Sequence, residues 1–252
     1  MSDAVVAGAR TGAQSRFAGR RWSTARIAGG LVLAAWAGLF WFLLLTGRDS
    51  LYLSTRTSWV VPLGAVLLTA ASLGRLASAR VQAPEPLSLR EAWILGLMVV
   101  PVVLVTALPP ATLGSFSASR RTGFNAAGFS TPVGDIATGQ LTLIDVAAAQ
   151  TSSEGEAALA KRAGSPVEFV GFVTRYADTP ADELLLTRYI ITCCVADATI
   201  AQVRVVNVPP GRFQPNDWID VTGTIYPLGH QVIVNAAEIQ KIPKPAKPYI
   251  TP

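Results

Sequence analysis

Apolar positions fall into two regimes along the chain. Three long uncharged windows come first. "IAGGLVLAAWAGLFWFLLLTG" fills the interval between Arg26 and Arg48, "TSWVVPLGAVLLTAASLG" lies between Arg56 and Arg75, and "AWILGLMVVPVVLVTALPP" follows Glu91. A bilayer core about 30 Å thick takes roughly 20 helical residues to cross. The first window has that length, the second is at the short end, and the third carries Pro101, which is expected to kink a spanning helix without stopping it. A buried helix of a soluble core shows a polar stripe, whereas these windows are apolar all round. The paired arginines of "GRRWSTARIAGG" loosely resemble a twin-arginine signal. The apolar run is too long for an ordinary signal core, and no small-x-small cleavage site follows it. Three retained spans are expected.

A second regime begins past residue 134. "GQLTLIDVAAAQ" predicts a short strand over 140–145, with Asp145 capping a helix over 146–161 that its "TSSEGE" centre weakens. Strand-like runs then follow at 167–176, 183–198, 201–208, 217–227 and 230–242, with turns at "ADTPAD", "VPPGRFQPND" and "PLGH". Five short, mostly antiparallel strands predict a small closed barrel of the OB type, with an open sandwich as the alternative. Gly171 and Gly223, inside the first and fourth strands, allow the sharp bends that closure needs, and Trp218 anchors one end of the core. The fold class is thus a membrane α plus β chain, with three transmembrane helices followed by a five-stranded OB-like β-barrel. The expected divisions are a basic tail at 1–26, a membrane region at 27–110, a Gly/Ser/Pro-rich linker at 111–134 and the β domain at 135–252.

Charge refines the picture. The chain nets +5 and only 15% of it is charged, against about a quarter in soluble domains. Residues 1–110 hold ten arginines and four acids, while residues 111–252 hold eleven cations and twelve acids. The basicity therefore belongs to the membrane half, where arginines set orientation. Five precede the first window and three lie between the second and third, against two in the first loop and two after the third. That bias expects the tail in the cytoplasm and the β domain outside a cell membrane that the chain crosses several times. Phe169, Phe172, Tyr176, Tyr189 and Trp218 suit base stacking, but the net charge of the β domain argues against a nucleic-acid partner. No ionisable residue interrupts the apolar windows, so this chain alone is not expected to form a translocation path. Ala34 with Gly38, and further along Gly64 and Gly96, offer small-residue points for docking to a partner helix. No phosphate loop, nucleophile elbow or HExxH helix occurs, so neither an enzyme nor a cofactor is expected.

The candidate chemistry is concentrated in "RYIITCCVADAT". Cys193 and Cys194 are the chain's only cysteines, and Asp197 and the single histidine, His230, are candidate further ligands. In a strand, adjacent side chains face opposite ways, which would place one thiol in the core and one outside. Three readings stay open: small thiols as core filler, a soft-metal or thiol site, or a strained vicinal or intersubunit disulfide. No four-ligand zinc spacing is present. For Asp197 the competing reading is a turn residue that bonds its own backbone, and for His230 a solvated turn residue.

Cys193, Cys194, Ala196, Asp197 and Ala198, together with "VEFVGFV", "DWIDVTG", the exit Pro109, Pro110, Leu113, Gly114 and a proline-flanked "PYI", resemble the YcgQ-like family of permease subunits. The resemblance covers most of the chain. It implies N-terminal membrane helices, a C-terminal β domain and a larger multi-span permease as partner, and it implies no substrate. The expected role is a non-catalytic membrane subunit of a transport complex whose outer β domain gates or binds. The alternative is an independent membrane-anchored, extracytoplasmic protein that handles metal or thiols through Cys193, Cys194 and Asp197.

Overall fold

The computed structural model describes residues 21–81, 86–109, 112–120, 136, 139–229 and 231–251. The chain forms two compact units. One joins Met1–Arg48 to Trp59–Pro110, and the other joins Asp49–Ser58 to Ala111–Pro252.

The first unit holds three helices long and apolar enough to cross a membrane: α1 (Thr24–Thr46), α2 (Val60–Ala77) and α3 (Leu89–Ala107). The Ser23 hydroxyl caps α1 by accepting the Arg26 amide at 3.4 Å, and Gly47 closes the helix with a left-handed φ of 65°. Such a φ is free of Cβ strain only in glycine. A reciprocal Ser88–Glu91 capping box starts α3, which continues through Pro101. Helix α1 packs against both α2 and α3. The Ser72 hydroxyl donates to the Gly30 carbonyl at 2.9 Å, and the Trp36 indole donates to the Met98 carbonyl at 3.0 Å.

Where α1 and α3 begin and α2 ends, β1 (Arg21–Trp22) pairs antiparallel with β2 (Arg80–Val81). There the Arg26 guanidinium donates to the Ser78 carbonyl at 2.9 Å, and Arg80 lies 4.5 Å over the Trp22 ring. Little of the unit is buried. Helix α1 buries Gly30, Ala37 and Leu39, α2 buries Val61, Ala65 and Ser72, and α3 buries Val102 alone. The candidate docking glycines separate accordingly. Gly64 lies against Phe40 within the bundle, whereas Gly38 and Gly96 face open space.

The second unit is built on a closed barrel of β3 (Pro166–Thr174), β4 (Leu184–Ile190), β5 (Thr199–Val206), β6 (Trp218–Leu228) and β7 (Gln231–Ile242). The strand order is β3-β4-β5-β7-β6, with β6 closing onto β3. All neighbours are antiparallel except β5 with β7. Alternation supplies the core: Val167, Phe169 and Val173 from β3, Leu184 and Leu186 from β4, Val203 and Val205 from β5, and Ile219, Val221 and Ile225 from β6. On β7 the buried positions run Val232, Val234, Ala236 and then Ile239. The change of parity coincides with the bulge opposite Thr222 and Gly223, where Glu238 and Ala236 pair but Ala237 does not. One extra residue turns every later side chain over, and here it keeps the long strand facing the core. A Cβ on Gly223 would strike the Asn235 carbonyl, and one on Gly171 would lie 2.7 Å from the Thr187 carbonyl. Both glycines therefore sit where two backbones converge.

Two expectations are corrected before β3. No strand forms at 140–145. Thr142 is the N-cap of α5 and Asp145 its third residue, in a reciprocal capping box in which the Asp145 carboxylate accepts the Thr142 amide at 2.9 Å. The Thr-x-x-Asp spacing thus places the cap three residues before the position assigned to it. The predicted helix is two, α5 (Leu143–Ala149) and α6 (Ser153–Ala160). Leu143, Val146, Ala149 and Leu159 merge with the barrel core. The segment expected as a linker also opens with structure. Residues Ser115–Ala118 form a short helix, α4, whose Ala118 is fully buried with Phe172, Tyr189 and Trp218. The Tyr189 hydroxyl donates to the Gly114 carbonyl at 2.9 Å, and the Leu113 amide donates to the Tyr249 hydroxyl at 3.1 Å. Residues 121–135 lie outside the described segments.

Candidate functional site

Strand β4 stops at Ile190, and Cys193 and Cys194 lie beyond it in a loop that leads to a 3-10 turn at Val195–Asp197. The expectation of a strand with one thiol in the core is therefore corrected. Cys193 is exposed, Cys194 is half-buried, and both are free. The physical reason is the Asp197 carboxylate. It accepts the amides of Thr192 at 3.1 Å, Cys193 at 2.7 Å and Cys194 at 3.4 Å. A side chain that takes three consecutive amides removes them from any strand ladder.

The other side of the loop is held by a segment that the sequence reading left as a plain connection between membrane helices. Asp49–Ser58 belongs to the barrel unit. The Ser54 amide donates to the Cys193 carbonyl at 3.1 Å, the Ser54 hydroxyl to the Thr192 carbonyl at 2.7 Å, and the Thr57 hydroxyl to the Cys193 carbonyl at 2.6 Å. The Val195 amide donates to the Tyr52 carbonyl at 2.9 Å, and Leu53 bridges Cys194 antiparallel. Ser54 is fully buried there. The backbone around the two thiols is thus clamped by a carboxylate within its own turn and by a short strand-like segment from far upstream.

Cys193 Sγ, Cys194 Sγ and a carboxylate oxygen of Asp197 all lie within 4.8 Å of one another. The neighbouring Cys194 thiol, desolvation and the Asp197 carboxylate push the Cys193 thiol up to about 11. Two sulfurs and a carboxylate resist a second negative charge among them. At neutral pH Cys193 is therefore a thiol rather than a nucleophilic thiolate. His230, the other candidate ligand, lies outside the described residues.

Trp218 belongs to an apolar cluster that also takes in Ile191, Val195 and Ala198 from around this loop. It is nearly buried, with its ring centroid 5.7 Å from that of Phe172, and Phe172 stacks on Tyr189 at 5.6 Å. These rings fill a second apolar cluster with Tyr249 and Ile200, so they are not laid out as an open stacking platform. The groove beside α5 and β3, about 980 Å³ in volume, has Arg162 and Arg188 on its walls. Arg162 donates to the Ile136 and Gly139 carbonyls, and Arg188 to those of Lys247 and Pro248. Both cations fasten backbone rather than stand ready for an anion.

Residues 138–252 match the family model described as the DUF1980 C-terminal domain, a family with no assigned activity. The match covers the barrel, α5 and α6, and it includes Cys193, Cys194 and Asp197. No curated protein matches the chain.

Proposed function

We propose that this chain is a non-catalytic membrane subunit of a permease complex, anchored by three spans and carrying its barrel on the outer face, where the barrel gates or binds. The observation that carries the reading is the unsatisfied apolar surface of the helical unit. Trp93, Leu97 and Leu104 on α3 are all exposed, as are Leu63 and Leu67 on α2. Lipid or other helices must cover such a surface. Gly96 lies among the exposed residues of α3 and leaves room for a partner backbone to approach closely.

A further observation supports the sidedness. Arg21, Arg26, Arg75, Arg80 and Arg90 gather where α1 and α3 begin and α2 ends, while Arg48 and Arg56 lie in the connection between α1 and α2. Positive charge favours the cytoplasmic side.

The test is purification of the full chain from its native membrane in mild detergent. The expected result is a multi-span permease in fixed ratio, with Gly96→Leu reducing its recovery. The chain alone overturns the complex and leaves the anchored, independent protein as the reading. A reporter active only in the cytoplasm should be silent when fused at Pro252, and activity there overturns the orientation.

A further inference from the structure

We propose that Cys193, Cys194 and Asp197 form a three-ligand site for a thiophilic divalent cation of the zinc type, open at its fourth position. This inference does not rest on the permease reading.

Three facts carry it. First, the fold brings together two sulfurs that a strand would hold on opposite faces, and adds a carboxylate, all within 4.8 Å. Tetrahedral zinc has bonds of about 2.3 Å to sulfur and about 2.1 Å to oxygen, which puts donor atoms roughly 3.5–3.8 Å apart. The cluster contracts by about an ångström at most to meet that geometry, within the reach of side-chain rotation. Second, the backbone is already committed. Asp197 and the 52–57 segment take the amides of Thr192, Cys193, Cys194 and Val195 and the carbonyls of Thr192 and Cys193. The loop is thus fixed before any ion arrives, and Asp197 Oδ1, which of these amides accepts that of Thr192 alone, retains a lone pair. Preorganised donors bind without first ordering the chain. Third, the thiols do not serve as core filler, because Cys193 is exposed and Cys194 is half-buried.

The donor set selects the ion. Two thiolates exclude magnesium and calcium, which require oxygen ligands. The hard carboxylate disfavours copper(I) relative to a borderline ion such as zinc. Binding displaces the two thiol protons to solvent and forms two metal–sulfur bonds, with no change of oxidation state. Three protein ligands leave one coordination position for water or for a donor from a partner, as in zinc sites that exchange their fourth ligand. Such a site suits capture and release better than permanent structural zinc.

The experiment uses the reduced full-length chain in detergent, titrated with cobalt(II) and then with zinc in competition. The expected result is a thiolate-to-cobalt charge-transfer band that saturates at one ion per chain and is abolished by zinc. Cys193→Ser and Cys194→Ser should each weaken zinc binding beyond the ~10–100-fold typical of losing an outer-shell contact. Mass spectrometry after alkylation provides a readout independent of variant folding, since zinc should protect both thiols of the unaltered chain together. Absence of the band, unchanged affinity in folded serine variants, or alkylation indifferent to zinc each overturns the site.

Discussion

Leu97 on α3 is 72% exposed, whereas Leu186 on β4 is fully buried. The two leucines stand for their units. In the helical unit apolar residues occur all around each helix, and most face outward. In the barrel unit they alternate with polar ones, and nearly all face inward. The same hydrophobic effect acts in both, but it is satisfied by the chain itself in one and by lipid or other helices in the other. The difference is written in periodicity rather than composition, because a strand period of two separates inside from outside.

Matched substitutions break or sharpen this contrast. Leu186→Ala should cost the barrel about 2–5 kcal/mol, while Leu97→Ala should leave its thermal unfolding within about 0.5 kcal/mol. Equal effects in circular dichroism would mean that the two units unfold together. Val100→Arg, near the centre of α3, should oppose insertion by roughly 2.5–3.5 kcal/mol, read as a fall in carbonate-resistant membrane protein. Asp197→Ala removes three amide bonds at the thiol loop and should cost about 1–2 kcal/mol. It should also speed alkylation of Cys193, since one of the groups that holds this thiol at about 11 is gone.

The smallest effect is expected at Asp217. The Lys241 ammonium at 2.7 Å and the Gln214 amide hold its carboxyl below the usual range. A depressed carboxyl stabilises the fold above the ordinary aspartate range, and that stability is lost as pH falls through the folded value. The Lys241 partner is largely exposed to solvent, so Asp217→Asn should flatten the acid limb of barrel stability by under about 1 kcal/mol.

The helices, the barrel and its five strands were legible because each is a local pattern of apolar positions. The thiol loop was misread for a local reason as well. "RYIITCCV" is a run of strand-forming residues, and what interrupts it is a carboxylate three to five positions downstream. A sequence-level sign existed, since an aspartate so placed often turns back onto its own amides. The Thr142 cap was similarly visible as Thr-x-x-Asp. The clamp from Tyr52, Ser54 and Thr57 left no such sign. Its partners lie 138 positions away for Ser54 and Thr192, and backbone pairing at that range carries no residue signature.

That separation also has a consequence for biogenesis. At the usual ~5–20 residues per second of synthesis, the Tyr52–Thr57 segment is made about 7–28 s before the residues it clamps. Over that interval α2 and α3 are made, and the segment has no loop to clamp. The thiol loop is therefore clamped only by a piece made well before it, and a polypeptide started at α2 would emerge without that clamp.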